Sequence, residues 1–305
     1  MSDLSSRPAV GFIGLGNIGA PMAKRLRAFP GGLVVCDALP AAVEPFVAKG
    51  ATAAANGAEV AALASVICVM VQNEAQVRSV LEGPDGILAT ALPGTVVAVH
   101  STISAEGAVA LAELAASAKV DLVDAPVSGG AIGAHEGTLA VMVGGADDAV
   151  ARCAQVFDHF GGLVAHMGPV GAGTRTKIAR NLITFASFAV VGEAQRLAEA
   201  ADLDLGKLGD VVRHSDRITG GPGAIMLRST AGELPAGDGL RSIFEHTATL
   251  GGKDLELAVR MADELGVDAP FAALGRATLA AALGLEPYEP PAAAPPTAVP
   301  PTVES

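Results

Sequence analysis

Short β-branched runs punctuate the first half of the chain, with longer Ala-rich stretches between them. Residues 10–13, 33–36, 66–71, 96–99 and 122–124 read as strands, and 18–28, 75–81 and 105–117 as helices. Strand–helix alternation of this kind predicts an α/β fold with a mostly parallel, doubly wound sheet. Two further runs, 139–143 and 163–167, add strands at its far edge.

The pattern changes after Gly173. Residues 174–201 hold no proline and a single glycine, Gly192, and Ile178, Leu182, Phe185, Ala189 and Leu197 recur at helical spacing. More helical stretches follow at 205–214, 224–228, 247–265 and 269–283, with no strand pattern among them. Three segments result: an α/β domain at 1–170, an all-α domain at 171–285 entered through a long helix, and a tail at 286–305. The tail holds seven of the nineteen prolines, which predicts a disordered or polyproline-like segment.

The first strand runs directly into Gly14-Leu15-Gly16-Asn17-Ile18-Gly19, and a helix opens behind it. A G-x-G-x-x-G in that setting is the fingerprint of a Rossmann dinucleotide site. Gly14 permits the tight turn, Gly16 lets the backbone approach a pyrophosphate, and Gly19 lets helix and strand pack closely. Asp37 stands 18 residues beyond Gly19, at the end of the second strand. A carboxylate there accepts hydrogen bonds from a ribose 2′-hydroxyl and repels a 2′-phosphate, so NAD is expected over NADP. The competing explanation, a helix-capping turn with a strand-end Asp, accounts for less of this agreement.

Composition narrows the chemistry. The chain lacks Trp, and its only Tyr is Tyr288 in the tail, which disfavours the Tyr–Lys chemistry of short-chain dehydrogenases. A net charge of −12 without any Lys/Arg run excludes a nucleic-acid footprint. No apolar stretch is long enough for a membrane span, and no signal peptide is evident, so a cytoplasmic protein is expected. Cys36, Cys68 and Cys153 have no metal-type spacing and read as small buried hydrophobes. No metal site is expected.

Three later motifs go beyond a generic dinucleotide fold. They are Asp124-Ala-Pro-Val-Ser128-Gly129-Gly130, Gly171-Ala-Gly173-Thr-Arg-Thr-Lys177-Ile-Ala-Arg-Asn181, and Lys253-Asp254-Leu255-Glu-Leu-Ala258. With the glycine motif at the start, they resemble the β-hydroxyacid dehydrogenase family in order and spacing over residues 10–285. That family includes 3-hydroxyisobutyrate dehydrogenase, tartronate semialdehyde reductase and the more distant 6-phosphogluconate dehydrogenase. The resemblance implies hydride transfer between NAD and a small 3-hydroxy acid, or reduction of the matching semialdehyde. It implies Lys177 as catalytic acid–base, Asn181 as the amide that orients substrate, and Ser128, Gly129 and Gly130 as the grip on the substrate carboxylate. It places Thr102 at the nicotinamide ribose, Val71 and Gln72 in the loop that closes over the cofactor, and Lys253 reaching the cofactor from the helical domain. A homodimer or homotetramer is also implied.

Read without the resemblance, each of these residues has a plainer explanation. Ser128-Gly129-Gly130 can be an anion nest or an ordinary βα turn. Lys177 and Asn181 share one helix face, and a lysine beside Ile178, Leu182 and Phe185 is expected to be desolvated, but helix lysines usually snorkel to water. Lys253 can pair with Glu256. His246 can line a substrate pocket or serve as a capping or core histidine. Gln72 stands where the family usually has proline. Two rival functions remain: an imine reductase on a related fold, against which Lys177 counts, and a non-catalytic dinucleotide-binding protein.

Overall fold

The computed structural model describes residues 9–228 and 232–286. The predicted tail therefore lies outside the described residues, apart from Glu286. The chain divides into two compact units, 1–182 and 183–305, with the division inside one long helix.

The first unit alternates strand and helix along the chain. Its opening elements are β1 (Ala9–Ile13), α1 (Gly19–Arg25), β2 (Leu33–Cys36), α2 (Pro40–Val47), β3 (Thr52–Ala53) and α3 (Gly57–Leu63). Next come β4 (Ala64–Val69), α4 (Glu74–Leu81), β5 (Val96–Val99), α5 (Ala105–Ser117), β6 (Asp121–Asp124) and β7 (Val127–Ser128). The unit continues through α6 (Gly130–Glu136), β8 (Leu139–Gly144), α7 (Asp147–Phe157) and β9 (Gly161–Gly168) into α8 (Ala172–Ala200). The strands form one sheet in the order β3-β2-β1-β4-β5-β6-β8-β7, with β9 on β8. From β3 to β6 every pairing is parallel; β8 then runs antiparallel to β6 and β7.

Continuous apolar strands are what a sheet covered on both faces requires. All of Val96–Val99 is buried, and its alternate residues enter different cores. Val96 and Ala98 pack with Phe12, Met22, Phe157 and Phe160 on one face. Val97 and Val99 pack with Val60, Leu81, Ile87 and Leu111 on the other. Asn56, Asn73 and Ser104 cap α3, α4 and α5, each accepting a hydrogen bond from a backbone N–H. Such caps contribute about 1 kcal/mol apiece.

Among its described residues the second unit holds helices, turns and no strand. It holds the remainder of α8, then α9 (Leu205–Thr219), α10 (Arg241–Leu265) and α11 (Pro270–Ala282). The helix predicted at 224–228 is instead a 3-10 turn over Gly221–Ile225, entered through two glycines at positive φ. Glu193 on α8 is buried, and its carboxylate oxygens accept the backbone N–H groups of Phe271 and Ala272 at 2.9 and 2.8 Å. An anionic cap at the start of α11 satisfies two orphan donors and complements the helix dipole. Among the described residues, no helix is long and apolar enough to cross a membrane.

Candidate active site

The glycine loop follows β1 at the carboxyl edge of the sheet. Gly14 has φ +95°, and a Cβ on it would lie 2.2 Å from the Met70 carbonyl oxygen. A Cβ on Gly19 would lie 2.0 Å from the Gly14 carbonyl oxygen, so loop and helix close on each other only without side chains. Gly16 is different, because nothing lies within 4 Å of where its Cβ would be. That open space beside the backbone is where a pyrophosphate can approach. Leu15 is buried in the core, Ile18 packs partly against it, and Asn17 is exposed.

Asp37 follows β2 and ties down the backbone on either side of it. Its Oδ2 accepts the Leu15 N–H at 2.6 Å and its Oδ1 the Leu39 N–H at 2.8 Å. A carboxylate has about four acceptor positions, so two remain for ribose hydroxyls while the others pin the glycine loop. These residues fit a nicotinamide dinucleotide.

Two neighbouring strand ends carry the next residues. Val71 is half-buried, Gln72 is exposed, and Asn73 caps α4 beside them. Ser101 locks this turn: its Oγ accepts the Val71 N–H at 2.9 Å and donates to the Val71 carbonyl at 2.8 Å. Thr102 comes next and is exposed. His100, one residue earlier, is buried; its Nδ1–H donates to the Ala125 carbonyl at 2.7 Å. A carbonyl can only accept, which settles the tautomer. Nε2 is then a buried acceptor without a partner, in a cage of Phe12, Phe157 and Phe160. Desolvation lowers the His100 pKa to about 4, so the ring is neutral at physiological pH. Leaving a buried polar atom unpaired costs about 1–3 kcal/mol.

Asp124 sets the lysine. It ends β6, fully buried, and its two oxygens accept the N–H groups of Gly171 and Thr174 at 2.7 and 2.6 Å. The first turn of α8 is thereby anchored to the sheet. Gly173 permits the approach, because a Cβ there would lie 2.3 Å from the Met142 carbonyl oxygen and 2.6 Å from that of Asp124. One turn on, Lys177 is only 9% exposed. Its Nζ donates to the Val127 carbonyl at 2.7 Å and lies 3.4 Å from Ser128 Oγ. Desolvation, and secondarily the positive charge of Arg180, lowers its pKa from the ordinary 10.5.

The cause of that desolvation differs from the one the sequence suggested. Ile178, Leu182 and Phe185 are exposed, the latter two at 70% and 62%. Lysine is covered instead by the β7 turn, fifty residues away in sequence. Gly129 and Gly130 follow Ser128 at φ +133° and +64°, and nothing lies within 4 Å of a Cβ on Gly130. Asn181, half-buried, is one helical turn beyond Lys177, and its Oδ1 accepts from Arg180.

In the second unit, Lys253 and His246 both lie exposed on α10. Lys253 pairs with Asp254 at 3.3 Å rather than with Glu256. Asp124, His100 and Ser101 were not singled out from sequence as site residues. Asp124 opens the motif that ends at Gly130, and its position at a strand end is the signal in the sequence; the partners of His100 and Ser101 are visible only in three dimensions.

Residues 9–168 match the family model described as the NAD binding domain of 6-phosphogluconate dehydrogenase. Residues 171–287 match that described as NAD-binding of NADP-dependent 3-hydroxyisobutyrate dehydrogenase. An uncharacterized oxidoreductase of Mycobacterium tuberculosis is 52% identical over 91% of this chain and 94% of its own. The 3-hydroxyisobutyrate dehydrogenase of Pseudomonas aeruginosa is 35% identical over 88% and 89%. The crystal structure of a putative oxidoreductase from Mycobacterium avium shares 48% identity at a TM-score of 0.86, over 90% and 98% of the two chains. A glycine loop shaped for a dinucleotide and a buried lysine beside a Ser-Gly-Gly turn thus sit in a chain that belongs to the β-hydroxyacid dehydrogenase family of NAD(P)-dependent oxidoreductases.

Proposed function

We propose that this protein moves a hydride reversibly between NAD and the carbinol carbon of a small 3-hydroxy acid, with Lys177 as general acid–base. The single observation that carries this reading is the lysine itself. Lys177 is buried and spends one hydrogen bond on the Val127 carbonyl, with Ser128 Oγ and the open Gly129-Gly130 backbone beside it. A lysine with a lowered pKa is suited to exchange a proton with a hydroxyl near neutral pH.

Bound nicotinamide supplies the hydride chemistry at its C4. The chain supplies position and a proton. Ser128 Oγ and the N–H groups of Gly129 and Gly130 hold the substrate carboxylate, which fixes the carbinol relative to Lys177. Asn181 orients the substrate from the same helix face. In oxidation neutral Lys177 takes the hydroxyl proton as the hydride leaves carbon; in reduction the ammonium returns it. Asp37 favours NAD over NADP, because its carboxylate and a 2′-phosphate repel. The named relative from Pseudomonas aeruginosa, a 3-hydroxyisobutyrate dehydrogenase, supports a substrate with hydroxyl and carboxylate in that relation. We also infer that the second unit is completed by another copy of the chain, as a homodimer or homotetramer.

The test is NADH formation at 340 nm across a panel of 3-hydroxy acids, each paired with its amide. Losing a charge-assisted hydrogen bond is worth roughly 1.5–3 kcal/mol, so the acid should exceed its amide about ten- to a hundredfold in kcat/KM. Gly130→Val, which fills the open space, should erase most of that advantage. Equal turnover of acid and amide would refute the carboxylate grip.

A further inference from the structure

Two adjacent residues at the end of β5 each reach across to a different neighbour. β5 lies between β4 and β6. Ser101 holds the turn leaving β4 through both polar groups of Val71. His100 holds the turn leaving β6 through the Ala125 carbonyl. The first of these turns belongs to the cofactor side of the proposed site, and the second runs on into Ser128-Gly129-Gly130.

We propose that His100 and Ser101 form a brace that fixes the interval between the cofactor-side turn and the acid-binding turn, and so act as positioning residues for hydride transfer. This inference rests on the function proposed above. Two strand spacings, about 10 Å, separate the strands that carry the two turns. Hydride and proton transfer need reacting atoms about 3–3.5 Å apart, and a misplacement of about 1 Å costs up to roughly a hundredfold in rate. The last backbone bonds tying β5 to its neighbours run from His100 N–H to the Val69 carbonyl and from Ala125 N–H to the Val99 carbonyl, each 2.8 Å. Beyond them the His100 and Ser101 side chains extend the tie into the two turns. The His100 ring cannot swing aside, because Phe12 stacks on it at 6.5 Å between centroids while Phe157 and Phe160 meet it edge-on at 5.4 and 5.5 Å.

Three variants of the full-length protein test the brace: His100→Phe, His100→Asn and Ser101→Ala. Phenylalanine suits the aromatic cage and removes the orphan nitrogen, but it frees the Ala125 carbonyl. Asparagine leaves a gap in the cage, yet its Nδ2–H can donate where Nδ1–H did. Hydrogen exchange read by mass spectrometry over residues 124–130 should speed up in His100→Phe and stay near wild type in His100→Asn. The kcat/KM for a 3-hydroxy acid should fall about tenfold in the first and stay within about threefold in the second. Melting temperatures should rank the other way, with the Phe variant the more stable of the two. Ser101→Ala should speed exchange over 70–73 and weaken NADH binding several-fold, leaving 124–130 unchanged. A purely structural role predicts that activity follows melting temperature, and that ranking would overturn the brace. So would unchanged exchange in His100→Phe. If the wild type turned over no 3-hydroxy acid, the proposed function would fall, while the exchange pattern would still decide the brace.

Discussion

The two units treat their hydrophobic residues in opposite ways. In the first, apolar strands are sandwiched between helices, and two extensive cores lie on the two faces of the sheet. In the second, the core among the described residues centres on Leu234, Phe244 and Leu283. Large apolar side chains there face outward instead: Phe188 on α8 is 64% exposed and Val211 on α9 is 65% exposed, with Ile218, Ile243 and Leu274 exposed as well. Large exposed apolar patches mark interaction surfaces. The contrast separates a unit that closes its own core from one that leaves large apolar residues exposed, and we propose that a second copy of the chain covers them. The residues proposed for catalysis, Lys177 and Asn181, lie in the first of these units.

The largest expected effect lies at the lysine. Lys177→Ala should lower kcat by about 10²–10⁴-fold while leaving the NADH dissociation constant within about twofold, read by cofactor fluorescence. Arginine should not restore activity, because a guanidinium does not release its proton near neutral pH.

Next comes the exposed helix. Phe188→Asp should weaken self-association by about a hundredfold or more, since an unpaired carboxylate would be buried in the assembly. Leu163→Asp, at an equally exposed site in the first unit, should leave association unchanged. Sedimentation equilibrium at micromolar concentration separates the cases, and a monomeric wild type would remove the proposed difference between the units.

Acid should strain the first unit through His100. Its folded pKa of about 4 lies below the unfolded value of 6.5. Above pH 6.5 both states are neutral there, and the contribution to stability is complete. As pH falls from 6.5 to 4, the unfolded chain takes a proton that the folded chain refuses, so stability declines by about 3 kcal/mol. Below pH 4 that loss levels off. Urea unfolding of wild type and His100→Phe at a series of pH values isolates the term, because other groups titrate alike in both. Parallel curves would show that His100 is not held neutral.

A smaller effect is expected at Asp37. Asp37→Ala should reduce the NAD-over-NADP preference in kcat/KM by about tenfold, removing a repulsive charge and a ribose acceptor together. Loss of the Leu15 and Leu39 bonds should also raise the KM for both cofactors.

Legibility from sequence divides along physical lines. β1, β2 and β5 could be placed closely because buried parallel strands are continuous apolar runs. β3 and β7, two residues each, are too short to carry a period, and α6 holds two glycines that weaken any helical reading. α7 carries a helical spacing in Ala149, Cys153, Val156 and Phe157, all buried. α9 and α10 extend beyond the predicted limits, to Thr219 and back to Arg241. Asp37 follows from its spacing after the glycine motif, whereas Lys177 and Ser128 stand out as candidates through the family resemblance, since their local pattern alone also fits a surface lysine and an ordinary turn. What surrounds them did not follow, because desolvation of Lys177 comes from a turn fifty residues earlier and the cage of His100 is assembled from three distant phenylalanines.

The most direct test of the central claim is the pH dependence of kcat for oxidation of a 3-hydroxy acid by wild type and Lys177→Ala. With Lys177 as the proposed base, oxidation requires its neutral form, so kcat should rise with pH through a single limb, with its midpoint below the ordinary lysine value of 10.5. Reduction needs the ammonium and should fall through the same midpoint. In Lys177→Ala the residual rate should lose that limb. The same limb persisting in the variant would place the proton elsewhere and contradict the account.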